Sequence, residues 1–156
     1  MRVLGIDPGF TGALAIYDSA NNQVTVMDMP VIKSKTGRTE LNMHALFNLM
    51  RPPVSGDIRA VIEQVSAMPG QGVTSTFRFG QGYGAIQMAL AAHKLPVAYV
   101  TPAVWKRHYG LSRDKGLSRG LAIQRFPENA DYFQRVKDDG RAEAALIALY
   151  GYEKFR

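Results

Sequence analysis

Residues 2–6 run apolar almost without a break and end at Asp7, the pattern of a strand buried on both faces. Residues 12–18 and 23–29 are two further apolar-rich stretches with Asn21-Asn22 between them, which predicts two strands joined by a tight turn. Pro30 ends the third strand, and residues 31–40 read as a basic loop. Helical spacing runs from Leu41 to Met50 and is closed by Pro52-Pro53. Ile58–Glu63 is a fourth strand, followed by a loop over 66–75 and a long helix from Thr76 to His93. Pro96–Val100 is a short fifth strand. Thr101-Pro102 then opens a helix, with Thr as N-cap and Pro in the first turn. Two more helices are predicted over Lys115–Arg125 and Arg141–Tyr150.

Three consecutive strands with short connections, then β-α-β and closing helices, give the element order of an α/β, ribonuclease H-like fold. Its five-stranded mixed sheet, flanked by helices, sets the first and fourth strands side by side. Asp7 and Glu63 then become neighbours at the carboxyl ends of paired strands, where ligand sites of α/β sheets gather. The last helix brings its own acids to the same place.

At 156 residues the chain fits a single nuclease-sized domain over 1–156 with a real core. No apolar run approaches the roughly 20 residues needed to span a bilayer. The sequence enters its first strand with no cationic leader or signal core, and it has no cysteine, which rules out disulfides and thiolate zinc sites. These features suit the cytoplasm, that of a bacterial host if a phage encodes the chain. The formal charge of +6 points to a polyanionic partner. Lys106, Arg107, Arg113, Lys115, Arg119 and Arg125 crowd one segment in which Asp114 is the lone acid before Glu128, and Lys33, Lys35 and Arg38 form a second group.

Against this basic background, three separated stretches place carboxylates where apolar residues are expected. Asp7 and Glu63 end buried-looking strands, and Asp138, Asp139 and Glu143 stand at the head of an apolar helix. Ionised carboxylates in such places cost several kcal/mol, roughly, unless something positive compensates them. A divalent metal site is the simplest compensation. Magnesium takes oxygen ligands supplied by separate elements. Two such ions about 3.5–4 Å apart serve in-line phosphodiester displacement without a titrating base. His44, His93 and His108 are poorly placed to act as that base. The third group leaves two arrangements open. If the helix already covers them, Asp139 and Glu143 share a face at i and i+4; Asp138 then lies about 140° away from Glu143. If the helix starts after Gly140, Asp138 is free to be the ligand and Asp139 to be the N-cap.

The runs Leu4-Gly5-Ile6-Asp7-Pro8-Gly9, Ile62-Glu63-Gln64-Val65, Phe79-Gly80-Gln81-Gly82-Tyr83-Gly84 and Ala142-Glu143-Ala144-Ala145-Leu146-Ile147-Ala148 together resemble the RuvC family of Holliday junction resolvases, and best its shorter phage and prophage type. The resemblance implies a homodimer that cuts a four-way DNA junction with paired symmetric nicks, using magnesium or manganese. It carries metal-binding and catalytic roles onto Asp7, Glu63, Glu143 and one of Asp138 or Asp139. It places Lys106 near the scissile phosphate and Lys115 along the DNA, where Arg107, Arg113, Arg119, Lys33 and Lys35 add contacts. Rival readings are a broader fork, flap or RNA–DNA hybrid nuclease, and a non-catalytic junction-binding protein. The chain departs from the bacterial pattern at Ser66, where an aromatic wedge is expected, which leaves Met68 or Phe77 for that task. It also has one more residue between its last acids. Gly80, Gly82 and Gly84 interrupt the long helix, each at about 1 kcal/mol relative to alanine. This predicts close packing on the sheet together with contact to a dimer mate.

Overall fold

The strand β1 (Arg2–Asp7) sits at the centre of the sheet in the computed structural model, which describes residues 1–51, 57–67, 70–112 and 115–155. Pro52-Pro53, Met68, Arg113 and Asp114 lie outside the described residues, as does the side chain of Lys115. β1 pairs antiparallel with β2 (Ala13–Asp18), which pairs antiparallel with β3 (Gln23–Asp28) through a turn where Asn22 takes φ 54°. After the hairpin of β4 (Val31–Lys33) and β5 (Thr39–Leu41) and after α1 (Met43–Leu49) comes β6 (Ile58–Glu63), parallel to β1, and beyond it lies β7 (Val97–Val100), parallel to β6. The order β3-β2-β1-β6-β7 is the five-stranded mixed sheet expected from the sequence.

Side chains alternate across a strand, so β1 and β6 each serve two cores. Leu4, Ile6, Ala60 and Ile62 face α1 and α2 (Val73–Ala92), packing with Leu46, Ile86 and Leu90. Val3 and Val61 face the other layer, built from α3 (Pro102–His108), α4 (Lys115–Arg125) and α5 (Asp139–Phe155). Gly5, Asp7 and Glu63 share that second parity. Alanines at 142, 144, 145 and 148 line α5, and all are fully buried. Small residues there let the helix backbone settle directly onto β1: a methyl added to Gly5 would stand 2.2 Å from the Ala144 carbonyl oxygen. No helix among the described residues is long and apolar enough to cross a membrane.

Four expectations need correction. Residues 31–40 do not form a plain loop: β4 (Val31–Lys33) and β5 (Thr39–Leu41) make a small antiparallel hairpin, all of β4 exposed. α2 begins at Val73, inside the stretch read as loop, and α5 begins at Asp139, ahead of Arg141. Between α4 and α5 lie two 3-10 segments, Pro127–Phe133 and Val136–Asp138, which have no apolar period to announce them. Finally, close packing accounts for Gly82 alone, where an added methyl would lie 3.2 Å from the Phe10 ring in the loop between β1 and β2. Nothing lies within 4 Å of such a methyl at Gly80 or Gly84.

Candidate active site

Ile6 and Ile62 are register partners in the parallel β1–β6 pair, so the next residues, Asp7 and Glu63, leave the sheet side by side on its α5 face. Asp7 is partly buried under the head of α5. An added methyl on Gly140 would meet the Thr11 carbonyl oxygen at 2.4 Å and Asp7 Oδ2 at 3.1 Å, so only glycine lets the helix start come this close. The Gly9 amide donates to Asp7 Oδ1 at 3.4 Å, shaping the loop that carries the strand end away.

Glu63 is 8 % exposed and is held by the indole N–H of Trp105, which donates to its Oε1 at 2.8 Å. Trp105 is itself fully buried, so α3 delivers a rigid donor to the end of β6. Burial pushes the Glu63 carboxyl above its usual range; the Trp105 N–H and the Lys106 ammonium pull it down, while neighbouring Glu143 adds to the rise. Glu143, 9 % exposed, lies one turn into α5 and accepts from Lys106 Nζ at 2.8 Å. Lys106 also lies 5.2 Å from the centre of the Trp105 ring. Consecutive residues of α3 thus hold two acids from two different elements. The family resemblance pointed to Lys106, while Trp105 was missed, since no local spacing ties it to Glu63.

The remaining acids are engaged elsewhere. Asp139 opens α5 with Glu143 one turn on, the i and i+4 arrangement, and accepts from Arg119 Nε at 2.8 Å. Asp138, 1 % exposed, caps its own 3-10 turn by accepting the Arg135 amide at 2.9 Å, and takes the Arg135 guanidinium at 2.8 Å. Arg141 stands 3.7 Å from Asp138 and grips Asp28 at the end of β3 with two hydrogen bonds of 2.6 Å. Two arginines thus claim Asp138, which ties β3 to α5, while the helix that already covers Asp139 sets it on one face with Glu143. Burial works to raise the Asp138 carboxyl, but the Arg135 side chain and amide and the Arg141 charge outweigh it, leaving it below the usual range. A lowered carboxyl contributes stability above its unfolded value and loses it as pH falls through the folded one. Asp138→Asn is accordingly expected to destabilise the chain at neutral pH by about 2 kcal/mol, discounted for the exposed Arg135. In paired thermal melts the gap to the wild type should close as pH drops below the ordinary value of 3.8.

None of the histidines serves the acids. His44 is exposed, His93 shares a hydrogen with the Phe47 carbonyl at 2.7 Å, and His108 pairs with Glu153 at 2.7 Å. Of the expected DNA contacts, Arg107 is exposed beside Lys106 on a cleft of about 550 Å3 that also touches Gly110 and Leu111. Lys33 and Lys35 are exposed on the hairpin, remote in sequence from the acids, and Arg119 is occupied with Asp139.

The donors fit a hard divalent cation in chemistry. All are carboxylate oxygens, and Glu63 is a buried acid crowded by Glu143, a strain that a cation relieves. Asp7, Glu63 and Glu143 meet that description, and Asp138 is a buried carboxylate held by two arginines. Among the described residues no three acidic or histidine side chains stand together as a cage; Lys106 pairs with Glu143 and Arg119 with Asp139.

A family model described as crossover junction endodeoxyribonuclease RuvC matches residues 3–111. A curated protein of that name from Nitratidesulfovibrio vulgaris (strain Hildenborough) is 32 % identical over 111 residues, which is 69 % of this chain and 65 % of the relative, just under two thirds of its length. Among solved structures, Thermus thermophilus RuvC superimposes with a TM-score of 0.63 at 16 % identity, covering 99 % of this chain and 96 % of that one. The same protein in complex with a Holliday junction substrate gives 0.60 at 16 %, with 99 % and 97 % covered. The yeast mitochondrial Holliday junction resolvase Ydc2 gives 0.57 at 17 %, with 99 % and 82 % covered. At those identities the superpositions establish the shared fold, and the family model, which takes in both strand-end acids and the Trp105-Lys106 pair, establishes the lineage. The chain belongs to the RuvC family of crossover junction endodeoxyribonucleases.

Proposed function

We propose that this chain is a metal-dependent DNA endonuclease that resolves four-way junctions by paired symmetric nicks, acting as a homodimer. The observation that carries the reading is that Asp7 and Glu63 end adjacent paired strands, with Glu143, paired to Lys106, near enough to act on the Glu63 carboxyl. Nucleases of the RuvC family are generally dependent on divalent metals. Asp7, Glu63 and Glu143 would hold magnesium or manganese, which would supply Lewis-acid charge at the scissile phosphate. Asp139, one turn before Glu143, is the fourth acid, and Arg119 is the cation that a DNA phosphate draws away from it.

The protein's own groups do the rest. The Trp105 N–H fixes one oxygen of Glu63, which limits its rotation and aims the other. Lys106 is a mobile ammonium over a ring: it neutralises Glu143 in the free protein and turns to the phosphate when DNA arrives. Arg107 continues the cationic path on α3, Arg113 and Lys115 follow it in the sequence as further phosphate contacts, and Lys33 and Lys35 reach DNA from the hairpin. Such contacts supply affinity without reading sequence. Two subunits bring two sets of acids, one for each nick, and the open outer face of α2 at Gly80 and Gly84 is where the second copy sits.

The test is cleavage of a mobile four-way junction beside a fork, a flap and an RNA–DNA hybrid, each with magnesium, with manganese and with chelator. Paired nicks placed symmetrically in the junction, made by a species sedimenting at twice 17.2 kDa, are the expected result. Cutting of hybrids alone moves the assignment to a ribonuclease. Binding without cutting under either metal moves it to a junction-binding protein.

A further inference from the structure

α3 is seven residues long, too short to hold its own shape in water, so its position depends on what grips it. Its first half is set by Trp105, fully buried with its N–H on Glu63. Its far end rests on a different group. Tyr109, the residue that ends the helix, donates its hydroxyl to Glu153 Oε2 at 3.2 Å, and His108 Nε2 lies 2.7 Å from the same oxygen. The imidazole packs edge-on against the rings of Tyr109 at 4.8 Å and Tyr150 at 5.2 Å. Burial and the Glu153 carboxylate push the Tyr109 hydroxyl well above the usual phenol range, so it stays a donor at any working pH. Gly110 turns the chain straight afterwards, at φ 65°, so Glu153 grips the last residues before α3 gives way to loop.

Glu153 stands on α5 about three turns beyond Glu143, roughly 15 Å along the axis. As a source of stability the pair is minor, because partly exposed ion pairs are worth little. As a means of placement it is not. Trp105 and Tyr109 are i and i+4 and share one face of α3, with Lys106 beside them. Trp105 alone is a pivot; with Tyr109 held as well, the helix cannot roll about its axis. That roll decides whether Lys106 meets Glu143 at 2.8 Å. A misplacement of about an ångström near reacting groups can cost a hundredfold in rate.

We propose that Glu153 is a positioning residue for the cleavage reaction: through His108 and Tyr109 it fixes the roll of α3 and so sets Lys106 against Glu143. Its consequence for cutting rests on the junction-nuclease reading, whereas the placement of Lys106 is measured without DNA.

Glu153→Gln tests both. In single-turnover cleavage of a four-way junction its rate is expected to fall about tenfold, while junction affinity and thermal midpoint stay close to wild type. Trace acetylation of the free protein, resolved by mass spectrometry, reads how reachable Lys106 is. Its labelling is expected to rise severalfold, and that of the exposed Lys94 and Lys137 to stay level. His108→Gln is the conservative rescue, because its amide nitrogen stands where the imidazole Nε2 does. It should keep wild-type rate and labelling, whereas His108→Ala should shift both as Glu153→Gln does. If Glu153→Gln fails to fold, Tyr109→Phe, which removes one hydroxyl and no ring, carries the same expectations. Unchanged Lys106 labelling overturns the proposal whatever the rate does. Raised labelling at a wild-type rate overturns it too, and leaves the nuclease standing. Raised labelling in a chain whose wild type cuts no branched DNA keeps Glu153 as the grip on α3 and takes down the nuclease reading.

Discussion

Asp7→Asn is expected to abolish junction cleavage while leaving junction binding within about twofold of wild type. The substitution keeps the shape of the side chain and one acceptor oxygen for the Gly9 amide, while it removes the negative charge and turns the other oxygen into an NH2 donor. Space around the group is tight: the backbone at Thr11 and Gly12 and the start of α5 at Gly140 enclose it, so an isostere is tolerated where a longer acid is not. Binding comes from cations meeting phosphates, and loss of an acid near the DNA does not weaken that attraction. Chemistry depends on charge held at the phosphate. Losing about 4 kcal/mol of transition-state stabilisation is roughly a thousandfold in rate. Band shifts in chelator, read beside cleavage time courses in magnesium at the same protein concentration, separate the two effects. Cleavage within tenfold of wild type would remove Asp7 from the mechanism, and an equal fall in binding would reduce it to a structural residue.

How much of this was legible in the sequence follows from which signals are local. β1 and β6 are apolar runs ended by an acid, and a buried strand cannot hide such a pattern, so Asp7 and Glu63 and their adjacency could be read directly. The hairpin at 31–41 could not. Its strands are three residues each, and Val31, Ile32 and Lys33 are all exposed, so no alternation marks them. The start of α2 was missed for the same reason: Val73 and Phe77 face outward, 87 % and 65 % exposed, and carry no period. The acids at 138 and 139 illustrate a different limit. Capping and metal binding use the same residue types, and what separates them here is Arg135 and Arg141, each three residues from Asp138, and Arg119, brought in from α4. Trp105 and Lys106 lie about forty residues from the acids they hold, beyond the reach of any local rule.

Replacing two glycines with alanine should move stability in opposite directions, and the larger effect is at Gly5. Its added methyl carbon would sit 2.2 Å from the Ala144 carbonyl oxygen, 2.4 Å from the Ala148 amide nitrogen and 2.8 Å from the Ala148 methyl. Two of those three atoms are backbone of a buried helix, so no side-chain rotation clears the clash. α5 must lift from β1 by about an ångström, and a gap of that size forfeits a quarter to a half of each contact along the seam. Ten residues of α5 are buried, among them Leu146 and Ile147, so the loss extends well beyond one site. A cost above about 4 kcal/mol is expected, against a total stability of roughly 5–15 kcal/mol for a domain. At Gly80 the methyl meets nothing within 4 Å, and alanine restores about 1 kcal/mol of helix propensity in α2. Chemical denaturation of both variants decides the matter: Gly5→Ala should lose most or all of its folded baseline, and Gly80→Ala should shift its midpoint upward. A Gly5→Ala protein as stable as wild type would mean that α5 does not rest on β1 at this distance. The same lift would carry Glu143 away from Asp7 and Glu63, so any folded Gly5→Ala should also fail to cut.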